Sequence, residues 1–255
     1  MLFNFRNKNV LITGGSRGIG KACALLFAQL QANVIITYKK DKAAAEQTVK
    51  ELESGNRHNC YQLDIADATS IPLFFNTVMS QYEHIDVLVN NAGVFIEHKI
   101  DEVSYEQWQQ SWNETIATNL TGVGNLCYFV ARQMIKQQHG KIINISSRGA
   151  FRGEPDHPAY GASKAGLNAF SQSLAVALGK YNISVGVIAP GFVETGMVSD
   201  LLNSEAGELI KKQSPLNRVA TVEEVARLTA VFAHEGLGFM TGGIVDLNGA
   251  SYLRS

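Results

Sequence analysis

The chain is short of cysteine and proline, with 3 and 5 of them in 255 residues. Cys23, Cys60 and Cys127 are far apart and form no CxxC pair, which excludes a disulfide framework and a zinc site as organising devices. No metal site is expected. An excess of either charge is also missing, since 22 Lys and Arg stand against 23 Asp and Glu. That balance argues against a basic nucleic-acid surface and a polybasic membrane anchor, and leaves a small molecule as the expected partner. No apolar run reaches the roughly 18 residues needed to cross a bilayer, and no basic-then-apolar leader precedes the first apolar run. The expectation is a soluble, cytoplasmic protein.

What the chain does have is alternation. Short β-branched runs at Val10 to Thr13, Val34 to Thr37, Val87 to Val89, Ile142 to Ile145, Val185 to Ile188 and Ile244 to Leu247 read as strands buried on both faces. Between them lie amphipathic stretches such as Ala22, Leu25, Leu26 and Leu30, whose spacing places one apolar stripe toward a sheet. Ser104 with Gln107, and Thr221 with Glu224, have capping-box spacing, and Ser70 followed by Pro72 marks another helix start. The pattern never pauses for a linker. It predicts a single α/β domain over 1–255, a Rossmann-type doubly wound parallel sheet of about seven strands flanked by helices. The less patterned stretch near 192–217 suits a substrate loop over a site.

After the first strand comes Thr13-Gly14-Gly15-Ser16-Arg17-Gly18-Ile19-Gly20, leading straight into a helix. Glycines allow a sharp turn and close approach to a pyrophosphate, and free N–H groups at a helix start favour negative charge. This context predicts a dinucleotide site. Tyr160 and Lys164 are four apart within one helical pattern, Ala159 to Gly179, so both project from one face. A free tyrosine has a pKa of about 10, and a neighbouring ammonium is expected to lower it toward the working pH. The spacing alone proves little, because Tyr38 and Lys42 share it. That pair bridges a strand end and a helix start and reads as solvated surface. Ser146 and Ser147 both follow the Ile142 to Ile145 strand, where a hydroxyl can meet negative charge developing on a substrate oxygen.

At the end of the second strand, Tyr38-Lys39-Lys40, there is no acid to hold both ribose hydroxyls of NAD(H). Lys39 and Arg17 suit a 2′-phosphate, so NADP(H) is favoured, with NAD(H) as the alternative. Asp41 fits better as the cap of a helix opening at Lys42. His98, His139 and His157 share no ligand spacing and read as surface histidines, and Trp108 and Trp112 as packing or interface groups on one helical face.

The motifs in this order resemble the short-chain dehydrogenase/reductase family: Thr13 to Gly20 is similar to its TGxxxGxG signature and Asn90-Asn91-Ala92-Gly93 to its NNAG motif. Ser147, Tyr160 and Lys164, then Pro190-Gly191, extend the resemblance over nearly the whole chain. It implies Ser147 rather than Ser146 as the catalytic serine, Tyr160 as proton donor, Lys164 as its tuning lysine and ribose anchor, and Asn119 as the orienter of a relay water. Without the resemblance, Asn119 is an ordinary helix or cap asparagine. It further implies that the dinucleotide meets Gly14, Ser16, Arg17, Gly18, Ile19 and Gly20 in the turn, then Tyr38, Lys39, Asp64 and Ile65. Asn91, Ala92, Gly93, Tyr160, Lys164, Pro190, Gly191, Val193 and Thr195 complete the implied set.

Within the family, Ile145-Ser146-Ser147 and Ala189 to Thr195 are most similar to 3-oxoacyl-acyl-carrier-protein reductases. In those, arginines before the fifth and sixth strands dock the acyl carrier protein. Here the matching positions are Gln138 and Tyr181, with Lys136, Lys141 and Lys180 nearby. A sugar, a steroid or a simple alcohol is the alternative substrate. A homotetramer or homodimer packed through the helices near 119–138 and 159–179 is implied. A non-catalytic dinucleotide sensor, the rival from another class, predicts a broken catalytic set, whereas all four positions hold competent residues.

Overall fold

Successive side chains of an extended chain point to opposite faces, so a run of aliphatics is stable only where both faces are covered. That condition is met throughout the core. The computed structural model describes residues 3–52, 55–196, 202 and 204–254. Seven parallel strands form one sheet in the order β3, β2, β1, β4, β5, β6, β9. They are β1 (Asn9–Ile12), β2 (Asn33–Tyr38), β3 (Asn59–Gln62), β4 (Val87–Asn90), β5 (Gly140–Ile145), β6 (Ile183–Pro190) and β9 (Ile244–Leu247). A separate two-residue pair joins β7 (Val193–Glu194) to β8 (Ala220–Thr221).

Strand residues divide by parity. Val10, Ile12, Val34, Ile36, Val87 and Val89 enter one core, beneath α1 (Gly18–Gln29) and α9 (Val222–Ala233). Leu11, Ile35, Leu88 and Ile142 enter the other, against α3 (Ser70–Gln81), α5 (Gly122–Gln137) and α7 (Pro158–Leu178). Each such fully buried side chain contributes about 1.5–3 kcal/mol relative to exposure. The doubly wound sheet expected from the alternation is therefore present, and strand order reverses between β1 and β4, where ligands of such sheets bind.

The remaining helices are α2 (Lys42–Glu51), α4 (Tyr105–Ile116), α6 (Gly149–Arg152) and α8 (Glu205–Lys212). Both capping boxes form, at Ser104 with Gln107 and Thr221 with Glu224, and Asp41 caps α2 by accepting from Ala44 N at 2.9 Å. Ser70 is the first helical residue of α3 rather than its cap, because its hydroxyl bonds the Asp64 and Asp67 carbonyls. The stretch near 192–217 contains β7 and α8, while residues 197–201 and 203 of that expectation lie outside the described residues.

A polar chain crosses the second core. Asn90 Nδ2 donates to Asn144 Oδ1 at 2.8 Å, Asn144 Nδ2 to Ser171 Oγ at 2.8 Å, and Ser171 Oγ to the Leu167 carbonyl at 2.6 Å. These buried bonds tie β4 and β5 to α7, the helix that carries Tyr160.

Two surface expectations are corrected here. Tyr38 is buried in the first core while Lys42 pairs with Glu46, because the last residue of an interior strand still faces a covering helix. His98 is fully buried. Its Nδ1 meets the Ile96 carbonyl at 2.8 Å and its Nε2 accepts from Ala159 N at 3.2 Å, closing the open N-terminus of α7. Trp108 and Trp112 stack at 5.8 Å, and Trp108 also meets the His98 ring edge at 5.2 Å.

Candidate active site

The glycine turn is held from three sides. Thr13 Oγ1 accepts from Asn91 N and Ala92 N, both at 3.0 Å, and Asn91 Nδ2 donates to the carbonyls of Thr13 and Gly14. Gly14 N donates to Thr37 Oγ1 at 3.3 Å, and Thr48 Oγ1 to the Ser16 carbonyl at 3.3 Å. Gly18 sits at φ +54°, a left-handed conformation that penalises other residues. A side-chain carbon on Gly20 would collide with the Gly14 carbonyl, so the turn folds back on the helix start only with glycine there. Thr195 comes over the turn, its methyl 3.5 Å from where a Gly18 side-chain carbon would lie.

The N-terminus of α1 has no side-chain cap and no acid in its first turn. Its leading N–H groups and dipole are left for an anion, which fits the pyrophosphate of a dinucleotide. The Ile19 side chain packs partly on the core, and those of Ile65 and Val193 are buried. At the end of β2, Lys39 Nζ pairs with Asp64 Oδ2 at 2.9 Å, while Arg17 is exposed beside the turn. Asn91 contributes its amide to the turn, so the NNAG segment acts at least partly from behind the crevice.

The side chains expected to react converge from α7, the segment after β5 and a π-turn. The Ser147 hydroxyl lies near enough to the Tyr160 phenol to oppose the effect of burial on it, and Ser147 Oγ accepts from Gly149 N at 3.0 Å. Ser146 points elsewhere: its buried hydroxyl bonds the Lys164 carbonyl at 3.4 Å. The side-chain direction thus separates two serines that residue type alone left equivalent. Lys164 Nζ donates to the Ile145 carbonyl at 2.8 Å and lies 5.6 Å from the centroid of the Tyr160 ring. The four-residue spacing does put both groups on one face.

Asn119 sits in the π-turn Ala117–Thr121 between α4 and α5, a bulge of the kind frequent at functional sites. Its Oδ1 accepts from Val94 N at 2.8 Å, and its Nδ2 donates to the Val94 carbonyl at 2.9 Å and to Ser163 Oγ at 3.2 Å. A side-chain carbon at Gly93 would lie 3.2 Å from Asn119 Oδ1 and 3.7 Å from Lys164 Nζ. Gly93, Asn119 and Lys164 therefore meet. Pro190 accepts from Arg148 N at 2.8 Å and Gly191 donates to the Leu247 carbonyl at 3.0 Å, which brings the end of β6 to the same rim.

The electrostatics correct one expectation. Burial pushes the Tyr160 hydroxyl up to about 12, opposed by the Ser147 hydroxyl and reinforced by the Glu154 carboxylate. Burial brings the Lys164 ammonium down to about 8. Burial thus moves both groups toward their neutral forms, and the Lys164 ammonium is bound to the Ile145 carbonyl. Burial also lowers His157. Its ring stacks on Phe95 at 3.5 Å, and Phe95 meets Tyr160 edge-on at 4.7 Å.

Phe95, His157, Glu154 and Arg148 were not singled out as site residues by sequence. For Arg148, Glu154 and His157 the available signal is the segment between the serine and the tyrosine, and for Phe95 its place just after the Asn90 to Gly93 motif.

The family model for short chain dehydrogenase matches residues 8–206. The chain is 38% identical over 245 residues to the 3-oxoacyl-[acyl-carrier-protein] reductase FabG of Chlamydia trachomatis, covering 95% of this chain and 96% of that protein. It is 36% identical over 247 residues to the FabG of Staphylococcus aureus, covering 96% and 98%. The crystal structure of gox2181 superposes with a TM-score of 0.90 at 28% identity, covering 97% of this chain and 96% of that one.

Proposed function

The chain belongs to the short-chain dehydrogenase family and is an oxidoreductase, and on that premise we propose that it reduces a 3-oxoacyl thioester to the 3-hydroxyacyl thioester with NADPH. The observation that carries this reading is the meeting of Ser147 with Tyr160 on one side and of Asn119 with Lys164 on the other, beside an uncapped helix start. Gly14 to Gly20 and the rim at Asn91 to Gly93 and Pro190 to Thr195 would hold the dinucleotide, which would supply a hydride for the carbonyl carbon. Tyr160 gives its phenolic proton to the carbonyl oxygen, and the Ser147 hydroxyl donates to that oxygen as it gains charge. A hydride and a proton together convert the carbonyl to an alcohol. Lys164 anchors the ribose hydroxyls and returns a proton toward Tyr160, with Asn119 holding the relay water.

NADPH is preferred over NADH on three residues. Asp41 is committed to the α2 cap, and Lys39 after β2 and Arg17 in the glycine turn are the cations available to a 2′-phosphate. The thioester is inferred from the names of the FabG relatives. Acyl carrier protein is the less favoured bearer of the acyl group, because Gln138 caps α5 in a left-handed conformation and Tyr181 carries Lys180 over its ring at 5.1 Å. The stretch over 192–217 is the substrate loop of the single domain. Exposed Tyr128 on α5 and Val176 on α7 support a homotetramer or homodimer packed through those helices. No described helix is long and apolar enough to cross a membrane, which suits the proposed cytoplasmic location.

The test is NADPH oxidation over a panel of 3-oxoacyl thioesters, simple ketones, quinones, sugars and steroids. A sugar or steroid turned over far better than any thioester overturns the substrate assignment.

A further inference from the structure

Arg148 follows Ser147 directly, yet the residue is only 3% exposed. Among the described residues no carboxylate lies within ion-pair distance of it, and burial lowers its pKa, the Arg152 charge adding to the effect and the Glu154 carboxylate opposing it. A buried cation without a counter-ion is costly, and an apolar side chain of similar volume would usually be more stable there. What the guanidinium does have is reach. Nη2 donates to Gln213 Oε1 at 2.6 Å, Nη1 donates to Ser251 Oγ, and the Phe192 ring centroid lies 5.0 Å from Cζ.

These partners come from three distant stretches of chain. Gln213 terminates α8, Ser251 belongs to the C-terminal turn, and Phe192 follows Pro190-Gly191 at the end of β6. The two outer stretches are also joined to each other, since Ser214 Oγ donates to the Gly249 carbonyl. Behind the guanidinium is a cavity of about 240 Å³, lined by Ile210, Leu216 and Asn248 among others. The backbone of Arg148 donates to the Pro190 carbonyl, so the same residue also fixes the ends of β5 and β6 together.

We propose that Arg148 is a positioning residue that latches the stretch after α8 and the C-terminal turn onto the serine-bearing end of β5, so that these stretches form the substrate wall of the carbonyl site. The proposal rests on the reading of Ser147 and Tyr160 as the reacting groups. Lysine does not replace Arg148, because one ammonium cannot span Gln213 and Ser251 in a planar fork.

The test is amide hydrogen exchange on the full chain, with steady-state kinetics on whichever carbonyl compound is turned over. Arg148→Met and Arg148→Lys both raise exchange about tenfold over 205–216 and 249–252, leaving β1, β4 and α1 as in the parent. Both raise KM for the carbonyl substrate about tenfold, and NADPH affinity stays within about twofold. If the arginine variants do not fold, Gln213→Ala with Ser251→Ala removes both acceptors and produces the same local loosening. Unchanged exchange in the two stretches overturns the proposal. So does exchange raised throughout the chain, full rescue by lysine, a loosened stretch with unchanged KM, or NADPH affinity falling as far as KM rises. Failure of the parent protein to reduce any carbonyl compound overturns the proposed function instead, and the exchange result then decides on Arg148 by itself.

Discussion

His98 Nε2 accepts the backbone N–H of Ala159, one residue before Tyr160, across 61 positions of sequence. Because Nδ1 faces the Ile96 carbonyl at 2.8 Å, the ring must donate from Nδ1 and accept at Nε2. Only one neutral tautomer satisfies both contacts. His98→Phe keeps the volume but leaves the Ala159 N–H without its acceptor, and should cost about 1–3 kcal/mol. Urea unfolding measures it; a stability equal to the parent's would show that the contact carries no weight.

Tyr160→Phe removes the phenolic proton donor and keeps the ring that Phe95 meets edge-on. Turnover should fall by about 10²–10⁴-fold, the usual contribution of a positioned acid. Titration by intrinsic fluorescence should give NADPH binding close to the parent's. Retention of full turnover refutes the assignment of Tyr160.

Lys164 makes stability depend on pH in a defined direction. Its pKa is about 8 in the fold against an ordinary 10.5, so between those values the unfolded chain binds more protons than the folded one. Stability therefore rises with pH through that window. Tyr160 acts oppositely at higher pH: its pKa is about 12 against 10.0, so above about 10 the unfolded chain gives up a proton that the fold retains, and stability falls. Chemical unfolding from pH 8 to 10.5 should give a more positive slope in the parent than in Lys164→Met, since the buried thiols of Cys23 and Cys127, pushed up to about 12, lower stability with rising pH equally in both. An identical slope in both proteins contradicts the assignment.

The Lys39 to Asp64 ion pair joins two positions expected to meet the adenosine half of the dinucleotide. Lys39→Ala should reduce kcat/KM with NADPH about tenfold and leave NADH within about twofold, from the loss of one charge-assisted bond to the 2′-phosphate. Rates with both cofactors on one substrate decide it. Equal losses with the two cofactors would remove Lys39 from phosphate recognition.

The strands were legible because their aliphatic runs encode burial on both faces, and Val10, Leu11 and Ile12 do divide between the two cores. The glycine turn was legible because positive φ and close approach leave few residue choices, as at Gly18 and Gly20. The shared face of Tyr160 and Lys164 was legible from helical spacing, but the dielectric around them was not. Spacing carries no information on desolvation, which moves both groups toward their neutral forms. His98 and Arg148 were illegible for another reason. Each is a polar residue buried by partners far off in sequence, and nothing in its local pattern distinguishes it from a solvated one. Tyr38 was misplaced in the same way, by a covering helix that its own strand does not announce.

The reversal of strand order between β1 and β4 also governs how the chain is born. Val10 pairs with Val34 on one side, but on the other with Val87, which emerges from the ribosome 77 residues later. Until then β1 is an open edge of a growing three-stranded sheet, with bare N–H and C=O groups beside aliphatic side chains. Synthesis at about 5–20 residues per second keeps that edge exposed for several seconds. Nascent chains stalled between β3 and β4 should therefore be the form of this protein most prone to aggregate and most dependent on chaperones.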